Sequence, residues 1–248
     1  MKKKILISIL VLLVILVSAI LLFLNQEAPA NVINFQAMAS DELVIISENK
    51  DTIVFTPKTN KATKALVYYQ GANVAAESFA YAGRKIAEAG IQVFLVKMPF
   101  SLAIFGIDAA HAYPVQYPEI EHWALGGFSL GGSSAAFALA NKESRYESLI
   151  LYASYTDAKH SLKDKALNVL SISGSNDGLA TPSDIEEGKT LLPPNTQYLV
   201  IPGGNHTQFA LYGEGKLQKG DNKATLPPME QQQMIIDATV AFLLQDRQ

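Results

Sequence analysis

Two rhythms of apolar and polar positions run along this chain, and one stretch follows neither. From Ile5 to Leu24 the residues are apolar without a break, with nothing more polar than Ser8 and Ser18. At about 1.5 Å per helical residue, a run of that length spans about 30 Å, the hydrocarbon thickness of a bilayer. Beyond it the pattern divides into short apolar runs and longer stretches of helical spacing. Leu43–Ser47 and Thr52–Thr56 flank the polar Glu48-Asn49-Lys50-Asp51 and predict an antiparallel hairpin. Ala65–Gln70, Ile91–Val96, Trp123–Leu125, Ser148–Ala153, Leu167–Ser173 and Gln197–Ile201 predict strands. Helical spacing connects them. Ala76–Ala89 carries Phe79, Ala82, Ile86 and Ala89 on one side and stops at Gly90, a C-terminal signal. A mixed apolar helix is expected within residues 101–117, a small-residue helix over Leu130–Ala140, and another over Ser183–Leu192, started by Thr181-Pro182-Ser183. The last is Pro228–Gln245, with Ile235, Ile236, Val240, Leu243 and Leu244 on its buried side.

A hairpin followed by strands alternating with helices predicts an α/β fold. It is doubly wound, with a mostly parallel sheet covered by helices on both faces, preceded by one N-terminal transmembrane helix. Residues 25–42 read as a short tether entering the first strand. Leu211–Leu226 is the longest irregular segment, and connections of that length are functional or mobile. No internal repeat or shift of composition marks a second domain, so the chain divides into an anchor and tether, 1–30, and one domain, 31–248.

Composition narrows the partners. A chain of 248 residues suits one large α/β domain. The formal net charge is −3, of which Lys2, Lys3 and Lys4 contribute +3, so the remainder carries −6 and nucleic acid is disfavoured as a partner. With no cysteine, disulfides, a thiolate metal site and a lipid-anchored lipoprotein are all excluded. No cofactor or metal is implied. The lysines preceding the apolar run keep the N-terminus in the cytoplasm, which predicts a single-pass cell-membrane protein with its domain outside. The rival is a cleaved signal peptide, because Ala28-Pro29-Ala30 imitates a cleavage site. Cleaved segments have apolar cores of about 7–15 residues, however, and this one is longer, which favours the uncleaved anchor.

The chemistry centres on residues 123–138. An apolar strand, Trp123-Ala-Leu, runs through Gly126 into Gly127-Phe128-Ser129-Leu130-Gly131 and then the small-residue helix. This is G-x-S-x-G in the strand–turn–helix context the motif needs. A serine on so sharp a turn needs small neighbours, since a Cβ there collides with the adjoining strand or helix. The turn lifts the Ser129 hydroxyl off the sheet and sets the Leu130 N–H at the helix start, where an oxyanion binds. A phosphate loop is the competing reading, but no Lys-Ser/Thr pair follows the glycines.

A serine needs a base to take its proton, and the base needs a carboxylate to orient it. In a doubly wound sheet these gather at the C-terminal ends of the strands. Asp177 follows one strand in Ser175-Asn-Asp-Gly and His206 follows the last in Pro202-Gly-Gly-Asn-His, giving the order Ser…Asp…His. Asp157, after the preceding strand, is the rival acid. His122 sits at a strand start, and His111 and His160 lie in helical or linker sequence. The second oxyanion donor is expected in the loop after Gln70, at the N–H of Ala72, with Asn73 next.

Gln70-Gly71-Ala72, Gly126-Gly-Phe-Ser129-Leu-Gly-Gly132, Ser173-Gly-Ser-Asn-Asp177-Gly-Leu-Ala-Thr-Pro182 and Pro202-Gly-Gly-Asn-His206 together resemble the α/β-hydrolase superfamily. More narrowly, they look like its membrane-anchored bacterial branch related to dienelactone hydrolases, and the similarity runs from about Val44 to Leu244. The resemblance implies Ser129, Asp177 and His206 as a catalytic triad and Leu130 with Ala72 as the oxyanion hole. Where dienelactone hydrolases carry a cysteine nucleophile, this chain has Ser129. The stretch Ser154–Ala166 is too short for a cap domain, which implies an open site with walls from Phe100, Leu102, Phe105, Phe128 and Phe209.

Three functions fit these residues. A serine hydrolase would cleave an ester or related acyl bond of a small molecule. An acyltransferase would use the same triad on an alcohol acceptor. A non-catalytic binding module would keep only the fold, which does not by itself fix function.

Overall fold

The computed structural model describes residues 2–24, 27–58, 61–213 and 215–245. Asn25 and Gln26, the first residues of the expected tether, lie outside them. Lys2–Leu24 form one continuous helix, α1, whose apolar side chains from Ile5 to Val17 are exposed. Among the described residues no helix is long and apolar enough to cross a membrane, so the expected span is not found there; of α1, the side chains described are those of residues 5–18 and 20.

The tether contains a helix that the sequence pattern does not announce. α2, Val32–Ala37, is too short to show a period and too short to be stable alone. Its support is partly local and partly tertiary. The Asn31 side chain caps it by accepting from Asn34 N, and Asn34 is itself buried, donating to the Leu211 carbonyl at 2.6 Å and accepting from Tyr81 N at 2.9 Å.

The expected alternation then appears. The strands are β1 (Val44–Glu48), β2 (Thr52–Pro57), β3 (Lys64–Tyr69), β4 (Gln92–Val96), β5 (His122–Phe128), β6 (Tyr146–Tyr152), β7 (Asn168–Gly174) and β8 (Gln197–Ile201). The main connecting helices are α3 (Ala80–Glu88), which follows a 3₁₀ turn at Ala76–Phe79, and α5 (Leu130–Asn141). α6 (Pro182–Gly188) follows β7 and α7 (Pro228–Leu244) closes the chain. One sheet holds all eight strands in the order β1-β2-β4-β3-β5-β6-β7-β8. β1 and β2 pair antiparallel, as do β2 and β4, and the pairings from β4 through β8 are parallel.

Residues alternate across the sheet at the period-two spacing of a pleated strand. Leu66, Tyr68, Val93 and Leu95 face a core closed by α3 and α7, where Ile86, Ile235 and Phe242 are buried. Val67, Tyr69, Phe94 and Leu125 face the other core, closed by α5 through Ala135 and Leu139. Both faces are therefore covered.

The one marked departure is residues 99–116. In place of one helix they form three 3₁₀ turns (Pro99–Ser101, Ala103–Phe105, Ile107–Ala112) and a four-residue helix, α4, Tyr113–Gln116. Side chains from the sheet fix this run. The Tyr69 hydroxyl donates to the Ile107 carbonyl and accepts from Ala110 N, while the Tyr146 hydroxyl donates to the Ala110 carbonyl at 2.7 Å.

Candidate active site

β5 ends at Phe128, α5 begins at Leu130, and Ser129 alone makes the turn between them, with φ 53° and ψ −123°. A side chain in that region is strained and persists only where its surroundings hold it. Ser129 N donates to the Tyr152 carbonyl at 2.9 Å, and its carbonyl accepts from the Ser154 hydroxyl at 2.8 Å and from Ser133 N at 3.1 Å. The motif glycines are required by contact. A Cβ on Gly127 would stand 2.5 Å from the Gly131 carbonyl carbon, and one on Gly131 would overlap the Tyr69 and Gln70 carbonyls. The second approach sets the start of α5 against the loop after β3, where Ala72 lies.

In that loop the candidate donors differ in what they bond. Asn73, at φ 54°, spends its N–H on the Ser101 carbonyl at 2.9 Å. The N–H groups of Ala72 and Leu130 flank the elbow without an acceptor among the described residues.

Asp177 and His206 are brought together. His206 Nδ1 lies 2.9 Å from Asp177 Oδ2, and the two residues are 1% and 2% exposed, respectively. The other carboxylate oxygen, Oδ1, accepts from Leu179 N and Ala180 N, both at 2.8 Å. A carboxylate oxygen only accepts, so Nδ1 carries the proton and Nε2 presents a lone pair. Nε2 is buried and has no partner. The imidazole packs on the ring of Phe128, the residue before Ser129, with centroids 4.7 Å apart. Ser129 Oγ makes no hydrogen bond to His206 in this structure, and such bonds commonly tighten only when substrate binds.

The rival acid is occupied elsewhere. Asp157 caps the 3₁₀ turn Ala158–His160 and pairs with His160 Nδ1 at 2.8 Å, on a half-exposed side chain. His122 pairs with Glu147 at 2.7 Å, at the N-terminal end of β5. A cavity of about 170 Å³ lined by Lys64, His122, Trp123 and Glu147 opens at that same end, away from Ser129.

The expected walls need correction. Phe128 and Phe209 are buried and stacked on each other at 6.1 Å, so they belong to the core beneath the site. Phe100 and Phe105 are exposed and meet edge to face at 5.9 Å, and Leu102 between them is partly buried. Alternation alone does not separate these cases, because both kinds of phenylalanine stand at or beyond strand ends. Between β6 and β7 the described residues form only one 3₁₀ turn, Ala158–His160, with no inserted domain among them. Among the described residues no group of three or more His, Asp or Glu could hold a metal ion.

Two contributors escape the sequence pattern. Residues 28–31 cross between loops on the site's side of the sheet. Ala28 bridges Val74 and Ala30 bridges Tyr212, with Ala28 N donating to the Asn73 carbonyl at 2.7 Å and Gly213 N to the Pro29 carbonyl at 2.7 Å. The Ser101 hydroxyl bonds the Glu27 carboxylate. The other is Asp221, inside the long irregular segment; apart from the N–H of Asn222 its partners, on Gly178, His206 and Thr207, are distant in sequence, so no local motif marks it.

The model of the alpha/beta hydrolase family matches residues 65–233, more than half of the chain. Among curated proteins none matches the sequence. Solved structures share the fold at low identity. A dienelactone hydrolase from Anabaena variabilis is 15% identical, with 82% of this chain and 98% of that one covered and a TM-score of 0.56. A carboxylesterase from Bacillus subtilis is 13% identical over 85% and 94%, also at 0.56. An esterase from Thermogutta terrifontis, solved with propionate bound, is 14% identical over 82% and 96%, at 0.56.

Proposed function

Since this chain belongs to the α/β-hydrolase family, we propose that it is a serine hydrolase, carboxylesterase-like, cleaving small-molecule esters through Ser129, His206 and Asp177. The observation that carries the reading is the buried Asp177–His206 hydrogen bond, which leaves an unpartnered Nε2 beside the elbow. An imidazole so held is a base with its tautomer fixed.

The steps follow from the roles. Ser129 Oγ attacks the ester carbonyl as His206 Nε2 takes its proton. The carbonyl oxygen becomes an oxyanion and is met by the N–H groups of Ala72 and Leu130. Collapse expels the alcohol, which leaves with the proton from Nε2, and an acyl group remains on Ser129. Water then attacks under the same base and releases the acid. Asp177 stabilises the imidazolium in both halves.

The full chain in detergent should hydrolyse activated esters, the shortest acyl groups first, in keeping with the bound propionate of the Thermogutta esterase. A fluorophosphonate should attach to Ser129, mapped by peptide mass. Turnover without labelling, or labelling at another serine, would overturn the assignment. Ester product formed in place of free acid would move the reading to acyl transfer.

We further propose that residues 5–24 hold the protein in the cell membrane with the catalytic domain outside the cytoplasm. The exposed apolar side chains from Ile5 to Val17, behind three lysines, support it: a surface of that kind is stable only against lipid or protein. Protease added to intact cells should remove the domain and leave a short membrane fragment. A soluble mature chain starting at Asn31 would establish cleavage instead.

A further inference from the structure

The acid and the base arrive on different strands. β7 delivers Asp177 and β8 delivers His206, and the hydrogen bond between them closes only if the two turns are held in register. Some of that register is backbone pairing ahead of the catalytic residues, as in Asn176 N to the Gly204 carbonyl at 2.8 Å. At the catalytic residues themselves a second carboxylate takes over.

Asp221 is 9% exposed and accepts from five donors. Its Oδ1 accepts the N–H of Gly178 at 3.0 Å, of His206 at 3.3 Å and of Asn222 at 2.8 Å. Its Oδ2 accepts the N–H of Thr207 at 2.8 Å and the Thr207 hydroxyl at 2.6 Å. One side chain therefore grips the residue after the acid, the base itself, and the residue after the base. Burial pushes this carboxyl up, but the Thr207 hydroxyl and the N–H groups of Gly178, Thr207 and Asn222 outweigh it and hold it below the usual value. Every partner is a donor, so the clamp needs an acceptor at both oxygens. An amide in its place would turn N–H toward N–H.

We propose that Asp221 is a positioning residue for the base: it fixes the backbone of His206 relative to the Asp177 turn, so that Nδ1 meets Oδ2 and Nε2 stays free in the site. It touches neither substrate nor reacting atoms and acts through His206. This assigns a task to the irregular segment after β8, whose chain returns from Leu211 to bring Asp221 beneath the catalytic pair. The inference rests on the serine-hydrolase reading, because positioning matters only if His206 is the base.

The test uses the full chain carrying Asp221→Asn or Thr207→Val, with active sites counted by fluorophosphonate titration. Asp221→Asn should lower kcat per titrated site by about 100-fold with KM within about twofold, the mark of a misplaced catalytic group. The far-downfield proton resonance of the Asp177–His206 bond should shift or vanish. Thr207→Val keeps the N–H and the shape but removes one donor, and should lower kcat about tenfold. It decides the matter if Asp221→Asn does not fold. Wild-type kcat per site in the folded variants, with the downfield proton unmoved, would show that Asp221 merely stabilises the loop and overturn the proposal. A wild-type protein without esterase activity would instead sink the hydrolase reading. The proton resonance, which needs no turnover, would still report whether Asp221 aligns the pair.

Discussion

Ser129→Ala should remove esterase activity almost completely, lowering kcat by on the order of 10⁶-fold, because triad members act as a unit and no other group replaces the nucleophile. The protein should remain folded. Ser129 already sits at φ 53°, so alanine meets the same backbone strain as serine, and the bonds that hold the turn run through its backbone N–H and carbonyl. The N–H groups of Ala72 and Leu130, proposed as oxyanion donors, survive as well and would account for the small residual rate expected over water. Circular dichroism and thermal midpoint, read beside initial rates on a chromogenic ester, make the comparison. A folded variant with wild-type turnover would end the case for catalysis at the elbow and leave a binding module.

Asp177→Asn should cost about 10⁴-fold in kcat. The reason lies in how the two carboxylate oxygens divide their work. Oδ1 takes two backbone N–H groups, from Leu179 and Ala180, so the amide oxygen of asparagine must stay there. The NH₂ then faces His206 Nδ1, which has to become an acceptor. The ring is driven into the other tautomer, with its proton on Nε2, where the base needs its lone pair. Asp157→Asn supplies the control, since Asp157 serves only His160 and its own turn, and its rate should match wild type. A reversal of the two results would transfer the acid to Asp157 and leave the nucleophile and base unchanged.

Strands and elbow were legible in the sequence because their requirements are local. Period-two runs such as Ala65–Gln70 are set by the pleat and Gly127 by contacts a few residues away, while Gly131, pressed on the distant Tyr69 and Gln70 carbonyls, is marked by its place in the G-x-S-x-G spacing. The meeting of Asp177 with His206 was legible because each follows a strand in a turn containing glycine. What stayed hidden depends on distant partners. Residues 99–116 have apolar content that suggests a helix. Pro99, Gly106 and Pro114 interrupt it, and hydroxyls from Tyr69 and Tyr146 settle the 3₁₀ turns. α2 is two helical turns at most and leans on Leu211 and Tyr81. Asp221 bonds to Gly178, 43 residues earlier, and to His206, 15 residues earlier, and no spacing rule connects those positions.

The crossing segment of residues 28–31 sets a leash. Four peptide steps join the end of α1 at Leu24 to Ala28, and fully extended they reach about 14 Å. Ala28 is already stitched to Val74, next to the loop that carries Ala72, so this face of the sheet lies within that reach of the end of the apolar helix. A surface that held α1 would therefore also limit how far the domain can reach. Trimming the chain at Asn31 would cut the leash and, with it, the seam: the Asn73 carbonyl and the N–H groups of Ala75 and Gly213 would lose their partners at the edge of the site.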